Sequence, residues 1–115
     1  MPLPLVVYVD VDDTLVRHAG TKRIPIPSTI AHVRLLATAG AEMWCWSTGG
    51  KDYARSMAED LGIADCFVGF LPKPNVLIDD QSVSEWRQCV EVRPGALGTG
   101  INDYGERIGR PATND

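Results

Sequence analysis

Cysteine is scarce in this sequence. The three cysteines, Cys45, Cys66 and Cys89, are odd in number and show no Cys-x-x-Cys spacing, which argues against both a zinc site and a disulfide framework. Free cysteine behaves as a small apolar residue. We therefore expect unpaired thiols, two of them within apolar runs, in a reducing compartment.

Long apolar runs and an excess of positive charge are also missing. No segment approaches the ~18 consecutive apolar residues of a membrane span, and residues 1–4 lack the basic start and cleavage site of a secretion signal. The net charge is -4, so the overall field disfavours binding to nucleic acid through its phosphates. We expect a cytoplasmic protein that binds neither membranes nor bulk nucleic acid.

The remaining composition is that of an ordinary globular protein. Its 115 residues, 44% hydrophobic and 23% charged, suit one domain with a single core. Five glycines lie between Gly95 and Gly109, where apolar residues are few. We therefore expect one domain over residues 1–94, followed by a loosely ordered Gly-rich tail over residues 95–115.

The segment Leu5–Leu15 organises the rest of the chain. Apolar residues without a helical period indicate a strand buried on both faces, typical of a parallel sheet, and acids follow at Asp10, Asp12 and Asp13. Ligands bind beyond the carboxyl ends of such strands. Because neighbouring carboxylates repel each other unless a cation intervenes, the pair Asp10 and Asp12 suggests Mg²⁺, which prefers oxygen ligands.

Further strands and helices are predicted along the chain. Strands are expected at 41–46, 66–70, 75–80 and 88–92, and helices at 29–39 and 51–61, after an extended flap or loose hairpin at 15–27. This pattern predicts an α/β fold, a three-layer doubly wound parallel sheet with strand order 3-2-1-4-5. The acids that end the first and fourth strands would then meet. They are Asp10, Asp12, Asp79 and Asp80.

The order of these residues resembles the four signatures of the haloacid dehalogenase-like (HAD) superfamily, which is dominated by Mg²⁺-dependent phosphohydrolases. The run Asp10–Thr14 resembles the first signature, Asp-x-Asp-x-Thr. Ser47 after a strand resembles the second, Lys73 the third and Asp79-Asp80 the fourth. The resemblance covers about Leu5 to Val92 and implies a Rossmann-like fold. The intervals between the signatures leave no room for an inserted cap domain.

Phosphoryl transfer assigns a role to each of these residues. A strand-end carboxylate can accept a phosphoryl group, so Asp10 is the expected nucleophile. Asp12 is the expected general acid and later the base for water, which requires a raised pKa. Lys73 would offset the repulsion between Asp10 and the phosphate. The resemblance implies that Mg²⁺ takes carboxylates from Asp10 and Asp79 and the main-chain carbonyl of Asp12, with Asp80 on or near the metal.

The groups that bind the substrate are less sharply defined. Ser47 and Thr48 are rival hydroxyl donors, of which Ser47 is favoured, and Gly49 with Gly50 opens a helix whose N–H groups suit an anion. Lys51 is a rival to Lys73 as the phosphate cation. A basic cluster in the flap can contact an outer phosphate or polar part of the substrate. It comprises Arg17, His18, Lys22 and Arg23. Trp44 and Trp46 are expected to pack rather than to stack on substrate.

The sequence therefore predicts a Mg²⁺-dependent phosphatase, a hydrolase that cleaves a phosphomonoester through phospho-Asp10. An open site without a cap predicts either a bulky phosphorylated substrate or a neighbouring subunit as lid. Two alternatives stay open. One is a catalytically idle metal-binding or interaction domain on the same scaffold, and the other is a phosphotransferase. Asp12 favours an enzyme, because a simple metal site does not need an acid at that position.

Overall fold

The computed structural model describes residues 3–110, which form a small α/β fold. Its strands are β1 (Val6–Asp10), β2 (Val16–Ala19), β3 (Lys22–Pro25), β4 (Glu42–Ser47) and β5 (Gly69–Pro72). Its helices are α1 (Pro27–Thr38), α2 (Lys51–Asp60) and α3 (Ile101–Arg107), with short 3-10 turns at Ala64–Cys66, Val83–Glu85 and Pro94–Ala96. The predicted α/β class is confirmed. No helix in this part of the chain is long and apolar enough to cross a membrane.

Three strands form a parallel sheet in the order β1-β4-β5. Asp10 pairs with Trp46 on β4, and Ser47 pairs with Pro72 on β5, so the carboxyl ends of the three strands lie together. Parallel strands need long crossovers, which α1 and α2 supply. β1, β4 and β5 correspond to the predicted strands 1, 2 and 3. The sheet is therefore the 3-2-1 half of the predicted order 3-2-1-4-5.

Both crossover helices cover the same face of the sheet. The chain moves from β1 to β4 to β5 in one direction across the sheet. Because crossovers between parallel strands are right-handed, both crossover helices then lie on the same face of the sheet. The inward side chains of β1 and β4 share a single core with those of α1 and α2. They are Val9, Met43, Cys45, Ile30, Val33, Leu36, Ala54, Met57 and Ala58. The opposite face, which carries Tyr8, Trp44 and Trp46, is not part of this core.

The two crossover helices have well-defined ends. Helix α1 begins at Pro27, two residues before the predicted start, because proline has the φ of a first helical residue and lacks an N–H that would need a partner there. Gly40 and Gly62 follow α1 and α2 with φ of 96° and 72°, the left-handed conformation that ends helices. The predicted stop of both helices at glycine is confirmed.

The predicted flap is an antiparallel hairpin of β2 and β3. Its turn contains Gly20 with φ of 63°, a conformation that glycine adopts without steric cost. His18 and Arg23 lie opposite each other in the register and therefore share one face of the hairpin. The hairpin thus presents a pair of basic side chains on a single surface.

The predicted fourth and fifth strands are not formed. Residues 75–80 and 88–92 belong to no strand, and the side chains of Val76 and Ile78 are 74% and 96% exposed. Strand formation depends on a partner as much as on local pattern. Here local bonds favour turns instead, since Asp79 accepts a hydrogen bond from the N–H of Gln81. Within residues 3–110, no strand pairs with β1 on the side away from β4.

The prediction of a loosely ordered tail is wrong for Ile101–Arg107, which form α3. Tyr104 is buried in the core, and its hydroxyl lies 2.8 Å from both His32 Nε2 and the N–H of Gly98. The buried ring and its hydrogen-bonded hydroxyl anchor this short segment to α1. Of the predicted tail, residues 111–115 lie outside the described part of the chain.

Candidate active site

The candidate site lies where β1 ends and the chain turns sharply. The carbonyl of Val11 accepts hydrogen bonds from the N–H groups of residues 14–16 at 2.8–3.3 Å. Asp13 has a left-handed φ of 61°, which aspartate tolerates better than most residues. The turn returns Thr14 to Asp10, where its hydroxyl donates to Oδ2 at 3.2 Å. The Asp10 carboxylate is thereby held in one orientation.

Lys73 reaches Asp10 from the end of the neighbouring strands. Its N–H donates to the carbonyl of Ser47 at 2.9 Å, which continues the pairing of β4 and β5 by one residue. Its Nζ lies 3.1 Å from Asp10 Oδ1. The two side chains are 32% and 30% exposed, so the pair adds little stability but is accessible to a ligand. The structure thus brings the predicted nucleophile and the predicted cation together.

Groups from the hairpin and from α2 converge on Asp12. Its Oδ1 accepts a hydrogen bond from the Tyr53 hydroxyl at 2.7 Å and lies 2.8 Å from His18 Nε2. Arg23 donates from Nε to the Tyr53 oxygen at 3.0 Å, with its guanidinium over the tyrosine ring. Two of the four residues of the predicted basic cluster therefore face the site.

The pKa of Asp12 is lowered, whereas a general acid was expected to have a raised pKa. Partial burial acts to raise the pKa, but the hydrogen bonds from Tyr53 and His18, together with the charges of His18 and Arg23, outweigh it. The carboxylate is therefore ionised at neutral pH. The prediction of a raised pKa is wrong because it did not include partners from the hairpin and α2.

Tyr53 lies on the amphipathic face of α2, and its sequence pattern indicates no role in a site. Its ring packs over Gly49, where a Cβ atom would lie 3.0 Å from Tyr53 Cδ2. Gly49 therefore provides the space that lets the tyrosine hydroxyl reach Asp12. The only sequence signal is a glycine pair one turn before an aromatic residue at a helix start, and that signal is weak.

The predicted phosphate ligands before α2 are arranged differently from expectation. Ser47 is 1% exposed, and its Oγ and carbonyl accept the N–H groups of Gly49 and Gly50 at 3.0 and 3.1 Å. Both N–H groups that were expected to meet an anion are therefore bonded to Ser47. Thr48 is exposed, so it is the accessible one of the two rival hydroxyls.

The acids of the fourth signature do not join the site. Asp79 and Asp80 are exposed, and Asp79 Oδ1 accepts the N–H of Gln81 at 2.9 Å. In the described chain, no group of three or more His, Cys, Asp or Glu side chains is spaced to hold a metal ion. The predicted Mg²⁺ ligands Asp10, Asp12, Asp79 and Asp80 therefore do not fit a metal in this arrangement, because residues 75–80 are not paired with β1.

The site is open to solvent. The hairpin and α1 are the elements between β1 and β4, and within residues 3–110 no inserted domain covers Asp10. Two shallow depressions run along α1, and neither is lined by Asp10, Asp12 or Lys73. In comparisons with known proteins, no family model matches this chain, and no curated protein or solved structure matches it either.

Proposed function

We propose that this chain is a Mg²⁺-dependent phosphohydrolase of the haloacid dehalogenase-like type, which cleaves a phosphomonoester through phospho-Asp10. The observation that carries the proposal is the 3.1 Å contact of Lys73 Nζ with Asp10 Oδ1 at the carboxyl end of a parallel strand. Phosphoryl transfer to a carboxylate brings two anions together, and a positioned ammonium lowers that cost. The proposed setting is the cytoplasm.

The first step transfers the phosphoryl group to Asp10. A carboxylate oxygen of Asp10 attacks phosphorus, and the bond from phosphorus to the leaving oxygen breaks. Thr14 holds Oδ2 by a hydrogen bond at 3.2 Å, which leaves Oδ1 to face the substrate. The ammonium of Lys73, now beside Oδ1, interacts with the phosphoryl oxygens as negative charge accumulates on them.

Asp12 acts as the general acid and then as the general base in this proposal. In the first step, Asp12 takes up a proton from solvent and passes it to the leaving oxygen, while His18 Nε2 lies 2.8 Å from Asp12 Oδ1. In the second step, water gives a proton to Asp12 and attacks the phosphorus of phospho-Asp10, which releases phosphate and restores the carboxylate. Tyr53 keeps Asp12 oriented during both steps.

Mg²⁺ and the complete strand order belong to the same proposal. A divalent cation at Asp10 needs further oxygen ligands, and Asp79 supplies one only when residues 75–80 approach β1. The open edge of β1 and the exposed apolar residues Val76–Ile78 support this pairing, because an unpaired strand edge is a template for another strand. The pairing would give the order 3-2-1-4-5.

Hydrolysis of p-nitrophenyl phosphate by the purified chain tests the function. We expect turnover with Mg²⁺, and none with a chelator or in Asp10→Asn. Asp13→Asn is the matched control, because Asp13 is an exposed neighbouring acid and asparagine tolerates its left-handed backbone. Activity that survives in Asp10→Asn removes the nucleophile assignment.

A catalytically idle metal-binding or interaction domain is the second candidate. The observation that favours it is the exposed position of Asp79 and Asp80, which in the described part of the chain join no group of three or more side chains able to hold a metal ion. A chain that binds Mg²⁺ but is inactive on a broad panel of phosphomonoesters would support this candidate. If the chain is active, adding an alcohol acceptor separates a phosphotransferase, which forms a new phosphoester, from a hydrolase.

A further inference from the structure

The sheet face opposite the helices carries three aromatic rings, which we call the aromatic strip: Tyr8, Trp44 and Trp46. The centroid of the Tyr8 ring lies 6.4 Å from that of Trp44 and 4.9 Å from that of Trp46. Tyr8 is 48% exposed, and none of the three residues packs on the core. The sequence predicts that the tryptophans pack rather than stack on substrate; Trp44 and Trp46 are partly buried and contact Tyr8 on the outer face of the sheet.

The aromatic strip starts at the proposed nucleophile. In the register of β1 and β4, Asp10 lies opposite Trp46, and Tyr8 lies opposite Trp44. Alternation along β1 places Tyr8 and Asp10 on the same face. Lys73 lies beside both the nucleophile and the aromatic strip, since its Nζ is 3.1 Å from Asp10 Oδ1 and 5.7 Å from the centroid of the Trp46 ring. A phosphate at Asp10 thus has an indole ring beside it and a phenol ring about 7 Å further along the strand.

The charges along the aromatic strip select a ligand with one anionic end. Lys73 lies at the Asp10 end, whereas Glu42 lies at the far end, where its Oε2 accepts a hydrogen bond from Trp44 Nε1 at 2.9 Å. A second phosphate at the far end would meet the Glu42 carboxylate, and the chain carries a net charge of -4. Both facts disfavour a polyanion such as a polynucleotide.

We propose that the aromatic strip binds the leaving group of the substrate, and that the substrate is a small phosphomonoester with a flat aromatic or heteroaromatic ring. Nucleoside monophosphates and aryl phosphates have this chemistry. The proposal rests on the proposed function for the phosphate end. Tyrosine and tryptophan rings stack on any flat ring without a specific hydrogen-bond pattern, so the strip recognises the ring itself rather than the substituents on it.

Tryptophan fluorescence tests the proposal by binding alone. The chain has three tryptophans, so a Trp86→Phe background leaves only Trp44 and Trp46 to report. We expect AMP and phenyl phosphate to quench this emission, whereas ribose 5-phosphate competes with AMP without quenching. An AMP titration that leaves the emission unchanged, as when another part of the chain covers the strip, overturns the proposal.

Tyr8→Ala, in the same background, removes one ring from the strip. Tyr8 is chosen because it is half exposed, whereas Trp44 packs on Gly69, where a Cβ atom would lie 2.7 Å from the indole. We expect AMP to bind about tenfold more weakly. Val6→Ala is the matched control, on the same strand and face with 51% exposure, and should stay within about twofold. Unchanged AMP affinity in Tyr8→Ala overturns the proposal.

Turnover separates this proposal from the proposed function. We expect kcat/KM for AMP to exceed that for ribose 5-phosphate, and Tyr8→Ala to remove most of the difference. Equal kcat/KM for the two substrates keeps the phosphohydrolase and overturns the ring site. Quenching by AMP without hydrolysis of either substrate keeps the ring site and overturns the phosphohydrolase.

Discussion

The Tyr53 hydroxyl donates a 2.7 Å hydrogen bond to Asp12 Oδ1 across 41 residues of sequence. The same oxygen lies 2.8 Å from His18, and Arg23 donates to the tyrosine oxygen. The turn after β1, the β2-β3 hairpin and helix α2 therefore share one hydrogen-bonded group. A change in any of these partners alters the pKa of Asp12.

Tyr53→Phe removes that hydrogen bond and should raise the pKa of Asp12 toward its ordinary value. The acid limb of the pH profile of kcat, which reports Asp12 as the base for water in the second step, then moves to higher pH. A carboxyl whose pKa is lowered by folding stabilises the protein above its ordinary pKa and loses that contribution as the pH falls. The variant should thus lose about 0.5 kcal/mol at neutral pH and much less in acid, as urea unfolding measures. Tyr8→Phe is the control for the loss of a tyrosine hydroxyl. If the pH profiles of Tyr53→Phe and of the unsubstituted protein superimpose, the prediction is contradicted.

Gly49→Ala should displace Tyr53 without unfolding the protein. The added Cβ lies 3.0 Å from the tyrosine ring, whereas Gly95→Ala, the control, meets no atom within 4 Å. We expect Gly49→Ala to reduce kcat and to shift the pH profile in the same direction as Tyr53→Phe. The double variant should then be little worse than either single variant. Additive losses of activity would show that Gly49 acts elsewhere.

Lys73→Met should lower kcat by about 10²-fold to 10³-fold, because the charge at the phosphoryl group would lack its nearest cation. Thermal stability should barely change, since the ion pair with Asp10 is about a third exposed. Lys51→Met tests the rival cation at the start of α2 and should retain activity. A larger loss in Lys51→Met than in Lys73→Met would reverse the two assignments.

The cysteines should differ sharply in reactivity. Cys45 is fully buried, and burial together with the charge of Asp10 raises its pKa to about 12. Cys89 is exposed, and Cys66 is intermediate with a pKa raised first by burial. Because the thiolate is the reactive form, iodoacetamide should label Cys89 first and Cys45 only after denaturation. Peptide mass spectrometry measures the order, and early labelling of Cys45 would contradict the structure.

The contact between α1 and α3 should make stability sensitive to mild acid. Burial lowers the pKa of His32, whose Nε2 lies 2.8 Å from the Tyr104 hydroxyl. Folding therefore favours neutral His32, and its contribution is present above the ordinary histidine pKa and lost as the pH falls below it. In His32→Gln, the free energy of unfolding should therefore decrease less steeply as the pH falls below the ordinary histidine pKa. An unchanged fall in unfolding free energy in His32→Gln would contradict the prediction.

Local pattern predicted the elements whose stability comes from their own sequence. The apolar run of β1, the periodic face of α2 and the glycines after both helices have local causes, and the structure contains each of them. The segment Val76–Ile78 has the same apolar pattern as a buried strand, yet it is exposed. Strand pairing is decided by distant partners, so this segment could not be placed from its own residues.

The candidate site was likewise predicted only where its residues are marked by local sequence pattern. Asp10, Asp12 and Lys73 were predicted as a group, and the structure brings Lys73 to Asp10 through the ends of neighbouring strands. The lowered pKa of Asp12 depends on Tyr53, which no local pattern marks. Tyr104 was likewise missed, because one aromatic residue in a glycine-rich segment gives no periodic signal, although it docks α3 by burial.

Within residues 3–110, the strand that carries Asp10 is hydrogen-bonded to a neighbouring strand along one edge only. Amide groups of β1 alternate between those directed at β4 and those directed at the unpaired edge, so every second amide of this strand should exchange its hydrogen rapidly with solvent. A carboxylate at the end of a strand paired on one edge can move toward an electrophile when a single row of backbone hydrogen bonds bends. Its reach would shorten as soon as a second strand joined that edge.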